Sequence, residues 1–290
     1  MQAILIGAAM ASTGAENSCR SGPAFFLRRR HRSCRGLRKA SVYKPASVGL
    51  RAWPSGLADL ANRYHVLKQR VLMTRRQGLP IVIGGDHGCA LGIWPALSRP
   101  RKSPGLLWID AHFDSHTPLT SPSLRLHGMV LAILLGEGDP RLLSAGGPAI
   151  DAAYTVVFGV RSYESGEPER LHRLGVRYYT MDEIVRRGQR NCLMEAWRRV
   201  SSCPGGFGVS LDMDALDPVY APGVSVKEKN GLKLLRLAQT LSSMNKQGLL
   251  GVEIAEYAPN RERQGRTAKS MDMLIGGLAL GRRGFTRSRF

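Results

Sequence analysis

The chain has 290 residues, 43% of them hydrophobic, and is long enough to bury one large core, which we predict to be a single domain over 1–290. No apolar run approaches the roughly 20 residues of a membrane span, and the opening residues lack the basic start of a signal peptide, so we expect a cytoplasmic protein without a membrane anchor. The five cysteines are scattered without a CxxC pair, which argues against a disulfide framework and a zinc–thiolate site, while the net charge of +20 requires that a nucleic-acid partner be considered.

Short apolar runs alternate with helical stretches along the chain. In chain order, the pattern predicts a strand at 3–7, a helix within 55–77, strands at 81–85 and 106–110, a helix at 127–136, a strand at 155–160, helices at 181–187 and 191–200, a strand at 208–214, a helix at 231–244, a strand at 249–256 and a helix at 267–280. Continuously apolar strands separated by helices are typical of a mostly parallel sheet covered on both faces. We therefore predict an α/β fold.

Most of the excess positive charge lies in two segments. Residues 17–58 carry ten Lys or Arg and no acidic residue, and residues 261–290 carry eight against two acidic residues. Charge runs of this kind are more often solvated faces than specific sites, so we predict that nucleic acid is not a partner. Segment 17–58 also shows no clear hydrophobic period and fits the α/β pattern least well.

Acidic and imidazole groups follow three of the predicted strands. They are Asp86 and His87 after 81–85, Asp110, His112 and Asp114 at the end of 106–110 and beyond it, and Asp212 and Asp214 at the end of 208–214. Residues two apart on an extended segment share one face, and open α/β sheets bind ligands at the carboxyl ends of their strands. We therefore expect these side chains to meet in one pocket.

Carboxylates that are buried close together repel one another and lose hydration, so they need protons, basic partners or cations. No surplus of Arg or Lys is interleaved with these motifs, and cations are the simplest compensation. Oxygen ligands with some imidazole and no thiolate favour Mn²⁺, with zinc, cobalt and iron as alternatives. Each motif alone is a weak signal, but the three motifs together predict a metal site.

The motifs GGDH (84–87), DAHFD (110–114) and SLDMD (210–214), in this order, resemble those of the ureohydrolase family, which includes arginases and agmatinases. The resemblance covers most of residues 80–258. It implies a three-layer α/β/α fold with a mostly parallel central sheet, a trimer or hexamer, and two Mn²⁺ ions per subunit. It further implies that one ion is held by His87, Asp110, Asp114 and Asp212, and the other by His112, Asp110, Asp212 and Asp214.

Catalytic roles are also implied by the resemblance. A hydroxide bridging the two ions would attack the guanidinium carbon of L-arginine, releasing urea and L-ornithine. Asp114 would stabilise the tetrahedral intermediate, and His127, in LHGM, would protonate the leaving amine. Glu256, in VEIAEYAP, would pair with the substrate guanidinium.

Stretch 115–128 is similar to the loop with which arginases bind the α-amino acid end of arginine. The resemblance implies that Ser123 contacts the substrate carboxylate and that Glu164, in VRSYE, faces the substrate α-amino group. His116 occupies a position that the family often fills with Asn or His. L-Arginine is therefore the expected substrate, and agmatine or another guanidino compound is the alternative.

Two stretches depart from the family pattern. Ser225, Val226 and Lys227 stand where the family usually has Gly-Thr-Pro, and Leu124 and Arg125 replace small residues. Arg125 can either aid a substrate carboxylate or obstruct entry. The first departure keeps open a second hypothesis, a metal-binding relative without activity. A binder of nucleic acids or anionic surfaces, built on the same scaffold, is the third.

Overall fold

A computed structural model describes residues 2–11, 17–29, 34, 37–45, 56–146 and 148–280 of the chain. Within these residues the strands are β1 (Ala3–Ala8), β2 (Arg38–Tyr43), β3 (Leu79–Gly84), β4 (Gly105–Ile109), β5 (Thr155–Val160), β6 (Arg177–Thr180), β7 (Phe207–Asp212) and β8 (Leu249–Ala255). They form one eight-stranded sheet in the order β2-β1-β3-β8-β7-β4-β5-β6, and every neighbouring pair is parallel.

Helices cover both faces of this sheet. In the described part of the chain they are α1 (Gly22–Arg28), α2 (Leu57–Arg75), α3 (Ala90–Leu97), α4 (Val130–Leu134), α5 (Pro140–Gly146), α6 (Glu167–Arg173), α7 (Met181–Arg187), α8 (Gln189–Ser201), α9 (Leu234–Ser243) and α10 (Arg266–Ala279). One core lies between the sheet and α1 with α7 to α10, and the other between the sheet and α2 to α6. The expected three-layer α/β/α fold is confirmed. Among the described helices, none combines the length and apolar character needed to cross a membrane.

Alternation along each buried strand supplies both cores. Leu107 and Ile109 of β4 pack on the side of α8 to α10, whereas Leu106 and Trp108 pack on the side of α2 to α4. Because both faces are covered, β3 and β4 are apolar at every position, which is why their positions were predictable from sequence.

The six predicted strands and the six predicted helices are present, with shifted ends. The predicted helix 127–136 is a 3-10 turn at Leu126–Met129 followed by the short α4. Strands β2 and β6 and helices α1, α3, α5 and α6 were not predicted. Of the basic segments, residues 30–33, 35–36, 46–55 and 281–290 lie outside the described residues.

The strand order creates a crevice near the middle of the sheet. β3 and β4 follow each other in the sequence, but β8 and β7 lie between them. On one side of this region the sheet continues from β3 to β1 and β2, and on the other side it continues from β4 to β5 and β6. A reversal of this kind leaves room for a ligand beyond the carboxyl ends of the central strands.

A close contact between α3 and β7 supports this region. Gly208 of β7 faces the indole of Trp94, and a Cβ atom at position 208 would lie 1.9 Å from Trp94 Cζ3. The indole nitrogen of Trp94 in turn donates a hydrogen bond of 3.1 Å to Glu253 of β8. The absent side chain at Gly208 therefore lets the helix reach the centre of the sheet.

Candidate metal centre and substrate cavity

The six predicted metal ligands converge at the carboxyl ends of three strands. His87 lies in a 3-10 turn after β3, Asp110, His112 and Asp114 follow β4, and Asp212 and Asp214 lie at the end of β7 and just after it. Asp110 is fully buried, and His87, Asp212 and Asp214 are nearly so. The sequence interpretation that these groups meet in one place agrees with their positions.

Three carboxylates surround one nitrogen of His87. The Nδ1 atom lies 3.0 Å from Asp110 Oδ2, 3.4 Å from Asp114 Oδ2 and 3.3 Å from Asp212 Oδ2. It is buried, and no hydrogen-bond partner with acceptable geometry is found for it among the described residues. A buried nitrogen amid three carboxylates, and itself without a hydrogen bond, fits a position from which a cation is ligated.

The opposite side of the His87 ring determines its tautomer. Nε2 lies 2.9 Å from Ser210 Oγ, and the Ser210 hydroxyl donates a hydrogen bond of 2.7 Å to Glu253 Oε2. Because that hydroxyl proton is already used, the Ser210 oxygen accepts from Nε2–H of the neutral imidazole. The lone pair is thereby left on Nδ1, which faces the carboxylates.

A second cluster forms around His112. Its Nδ1 atom lies 3.4 Å from Asp110 Oδ1 and 3.3 Å from Asp214 Oδ2. Asp110 thus directs one oxygen toward each imidazole, and Trp108 holds it with a hydrogen bond of 3.0 Å from Nε1 to Oδ2. Trp108 also stacks on the His87 ring at a centroid distance of 3.8 Å. Asp110 is therefore placed to be shared by two ions.

The electrostatics of the two clusters favour bound cations. Burial, followed by Asp110, raises the pKa of Asp114 to about 7, and burial also raises the pKa of Asp212 well above its usual value. Burial lowers the pKa of His87, but the three carboxylates around Nδ1 together outweigh burial and raise the pKa. Without cations, part of this set must therefore hold protons that metal ligands give up.

The ligand atoms of these residues lie close enough together to hold two divalent ions. The ligand atoms of His87, Asp110 and Asp114 lie within 4.8 Å of one another, and so do those of Asp110, His112 and Asp214. Four carboxylates and two imidazoles form an oxygen-rich set of the kind that suits Mn²⁺.

A cavity of about 320 Å³ opens beside the two clusters. It is lined by all the residues predicted to act on the substrate, namely Asp114, His116, Ser123, His127, Glu164 and Glu256. The departures Arg125 and Val226 line it as well. This volume is within the range of small-molecule sites.

Glu256 follows β8 and is held rigidly. Its backbone is left-handed, with φ of 65°, and its N–H donates to Gly85 O at 2.8 Å. The side chain is 7% exposed, and Oε1 accepts a hydrogen bond of 2.9 Å from the backbone N–H of His87. Burial, reinforced by Asp86, raises the pKa of Glu256 to about 8. A cationic group that enters the cavity would restore its charge.

At the cavity mouth, two residues predicted to bind substrate contact each other directly. His116 Nε2 makes a short contact with Glu164 Oε2 and lies 3.4 Å from Glu167 Oε2. Glu167, at the start of α6, accepts from the backbone N–H groups of Ser115 and Glu164 at 3.0 and 3.1 Å. The loop after β4 and the loop after β5 are therefore joined here.

Ser123 and His127 both line the cavity. Ser123 is exposed, and its Oγ accepts from the N–H of Arg125 at 3.3 Å. His127 lies in the 3-10 turn before α4, and burial lowers its pKa, so that its ring is mostly neutral at neutral pH.

Several polar residues around the site were not predicted. They are Cys19, Glu167, Ser210, Glu228 and Glu253. Glu228 Oε1 lies 3.8 Å from His112 Nε2 and belongs to the loop in which the sequence departs from the family. Glu253 offered a signal that was missed, because a charged residue within an apolar strand needs a partner. Ser210 stands in the SLDMD motif, which does not indicate its contact with His87, and Cys19 has no distinguishing pattern in the sequence.

Comparison with known proteins agrees with this architecture. The model of the Arginase family matches residues 1–280. The chain is 37% identical to the arginase of Brevibacillus brevis over 193 residues, which are 66% of this chain and 65% of that protein, just under two thirds of its length. It is 34% identical to the arginase of Bacillus caldovelox over 71% of this chain and 70% of that protein. The crystal structure of arginase from Bacillus subtilis superposes with a TM-score of 0.84 at 28% identity, covering 96% of this chain and 98% of that one.

Proposed function

The chain belongs to the arginase family, and we propose that it is a metal-dependent ureohydrolase that cleaves a guanidinium group to urea and an amine. The observation that carries the proposal is the pair of imidazole–carboxylate clusters sharing Asp110, beside a cavity that also presents Glu256. We propose Mn²⁺ as the metal and L-arginine as the substrate, with L-ornithine as the second product.

The residues that would hold the metal follow from the clusters. His87, Asp110, Asp114 and Asp212 would hold one ion, and His112, Asp110, Asp212 and Asp214 the other. Two divalent ions bound there would supply Lewis acidity and lower the pKa of a water molecule to near neutrality. The Ser210 hydroxyl keeps the His87 ring in the tautomer that this ligation needs.

Glu256 is proposed to bind the guanidinium group of the substrate. A carboxylate pairs with a guanidinium through two parallel N–H donors, which sets the orientation of the substrate as well as its affinity. His87 N–H already fixes one oxygen of this carboxylate, so the substrate meets a group with little freedom to rotate. Such preorganisation places the guanidinium carbon beside the metal ligands.

His127 and Asp114 are proposed to act on the reacting groups. The mostly neutral His127 ring can take up a proton and deliver it to the leaving amine. Asp114, which borders both the His87 cluster and the cavity, would hydrogen-bond to the tetrahedral intermediate.

The polar cavity mouth supports a substrate with a charged head group. We propose that Ser123 and His116 face the α-carboxylate of L-arginine and that Glu164 faces its α-amino group. Agmatine has the amine but no carboxylate, and remains the alternative substrate. Assembly into a trimer or hexamer and a cytoplasmic location stay predictions.

The test is urea release by the Mn²⁺-loaded protein, with L-arginine and agmatine assayed side by side. We expect urea from L-arginine and little from agmatine, and loss of urea release by at least about a hundredfold in Asp212→Asn, because a metal ligand is lost. Asp139→Asn, which changes a carboxylate outside the cavity, is the matched control and should retain activity. Urea from agmatine alone would move the assignment to the alternative substrate. No urea from either compound, with two ions bound, would contradict the proposed activity and support the hypothesis of an inactive relative.

A further inference from the structure

The basic N-terminal segment and the loop in which the sequence departs from the family pattern meet beside Glu256. Cys19 belongs to the 3-10 turn Asn17–Ser21 in the basic segment, and Ser225 belongs to the altered loop after β7. Cys19 Sγ lies 2.9 Å from Ser225 Oγ, and Ser225 Oγ lies 2.8 Å from Ser18 Oγ. The Cys19 thiol donates a hydrogen bond of 3.0 Å to Glu256 Oε2.

These contacts form a chain of hydrogen bonds with one direction. Once a bound cation has restored the charge of Glu256, its carboxylate only accepts, so the single proton of the thiol goes to Glu256. The Cys19 sulfur is then free to accept from the Ser225 hydroxyl, whose oxygen accepts from the Ser18 hydroxyl. Every member of the chain therefore has its proton directed toward Glu256.

Cys19 stays a donor because it stays a thiol. Its side chain is 1% exposed, and burial, followed by the charge of Glu256, raises the pKa of the thiol well above its usual value. A thiol this deeply buried is also shielded from reagents in solution, so its contribution is the hydrogen bond rather than nucleophilic chemistry.

The two oxygens of Glu256 are each held by one donor. His87 N–H occupies one acceptor position of Oε1, and the Cys19 thiol occupies one of Oε2. Each carboxylate oxygen has about two acceptor positions, so one on each oxygen is left. Two such positions match the paired N–H donors of a guanidinium group.

We propose that Cys19, supported by Ser225, is a positioning residue that holds the Glu256 carboxylate in the orientation that receives a substrate guanidinium. The inference rests on the proposed function, since it assigns Cys19 to the guanidinium end of the same site. It also gives the N-terminal turn and the altered loop one shared role, because the turn supplies the thiol and the loop supplies the hydroxyl that orients it.

The test compares Cys19→Ala with Cys19→Ser. Removing the donor to a charged, buried acceptor should raise KM for L-arginine about tenfold and weaken binding of the guanidinium ion, measured by calorimetry, by a similar factor. Binding of L-ornithine, which has no guanidinium, should change less than about twofold, and kcat should change less than KM. Cys19→Ser keeps a donor and should recover most of the affinity. A general distortion of the site would instead weaken both ligands equally.

Ser225→Ala tests the supporting hydroxyl, and Cys203→Ala is the control for the loss of a buried thiol. Ser225→Ala should produce a smaller loss in the same direction, and adding it to Cys19→Ala should cause little further loss, because the two side chains act through one chain of hydrogen bonds. Cys203→Ala removes another buried thiol, which donates to Ser103 O at 3.4 Å outside the cavity, and should leave both ligands unaffected.

The outcomes separate this inference from the proposed function. Unchanged guanidinium affinity in Cys19→Ala, or equal losses for guanidinium and L-ornithine, would overturn the role of Cys19 even in an active enzyme. Absence of urea release by the wild-type protein would overturn the proposed function, while the calorimetric comparison would still test the hydrogen bond. If Cys19→Ala fails to fold, Ser225→Ala provides the comparison with the wild-type protein.

Discussion

Two residues at the site adopt backbone conformations that side chains other than glycine rarely take. Asp114 has φ of 50° and Glu256 has φ of 65°. Each conformation costs on the order of 1–3 kcal/mol and persists only where surrounding contacts impose it. Both residues lie just beyond strand ends and turn their carboxylates toward the same cavity, so the strain coincides with the groups proposed to hold metal and substrate.

The metal ligands also make stability depend on pH. In the metal-free protein the pKa of Asp114 is raised to about 7 and that of Asp212 is raised well above its usual value, compared with about 3.9 for an unfolded aspartate. Each raised acid therefore contributes stability below about pH 4, and this contribution is lost as pH rises through the pKa of the folded state, which is about 7 for Asp114. The pKa of His87 is also raised, so the contribution of His87 to stability is likewise lost as pH rises.

We therefore predict that Mn²⁺ stabilises the protein more at pH 8 than at pH 5.5, because bound ions need the ionised carboxylates that the metal-free protein tolerates poorly. The measurement is the unfolding temperature with Mn²⁺ and with a chelator at both pH values. Asp114→Asn removes one titrating acid and should flatten the dependence. An equal rise in unfolding temperature at both pH values would count against this account.

Residue by residue, the convergence of the proposed ligands was predictable, and the residues that hold them in place were not. His87, Asp110 and Asp212 stand in short motifs at strand ends, where position alone predicts convergence. Ser210 and Cys19 act through contacts with residues distant in the sequence, Glu253 and Glu256 among them. Such partners depend on the packing of separate strands, which no local pattern encodes.

Among the elements, the central strands were predictable because both of their faces are buried. β3 and β4 are apolar throughout, whereas the edge strands β2 and β6 have the sequences RKASVY and RYYT. An edge strand has solvent on one side and often carries charge, which discourages pairing with other chains. Helix α3 escaped prediction because it is buried on nearly all sides and contains Pro95, so it has no amphipathic period.

The close packing of Trp94 of α3 against Gly208 of β7 leaves no space for a side chain at position 208. In Gly208→Ala the new methyl group would lie 1.9 Å from Trp94, and we expect destabilisation of at least about 3 kcal/mol because neither element can move without disturbing a buried core. Displacing Trp94 also breaks its hydrogen bond to Glu253, which holds Ser210 and thereby the His87 ring. Denaturant unfolding and Mn²⁺ affinity measure the two effects.

Gly128→Ala is the control for this substitution. A Cβ at position 128 meets no atom within 4 Å, so the free energy of unfolding should change by less than about 0.5 kcal/mol. Equal free energies of unfolding for Gly208→Ala and Gly128→Ala would show that α3 and β7 can shift apart at little cost and would contradict this prediction.

On the scale of the molecule, one sheet separates two cores that both depend on its central strands. The proposed ligands come from positions after β3 and β4 and from the end of β7 and just beyond it, and Glu256 comes from the position after β8. The N-terminal turn reaches the same place through Cys19. The site thus joins segments from most of the described chain.

We accordingly predict that the protein unfolds as one unit, as the proposal of a single domain requires. Calorimetry should show one transition, and Mn²⁺ should shift the whole transition upward by mass action. The matched experiment uses Asp212→Asn, whose transition should respond weakly to Mn²⁺. Two transitions, of which only one responds to the metal, would indicate separable domains.

The insertion of β8 and β7 between β3 and β4 has a consequence for biosynthesis. A chain leaving the ribosome presents β3 and β4 in succession, but β4 cannot meet β7 until residues 207–212 have been synthesised, and β3 cannot meet β8 until residues 249–255 have followed. Until then, the facing edges of both strands lack their final partners, and His87 and Asp110 have no shared sheet to bring them together. The candidate site is therefore assembled late in translation, and a nascent chain that stops before β8 has all six proposed ligands but lacks Glu256 and the strand that joins β3 to β7.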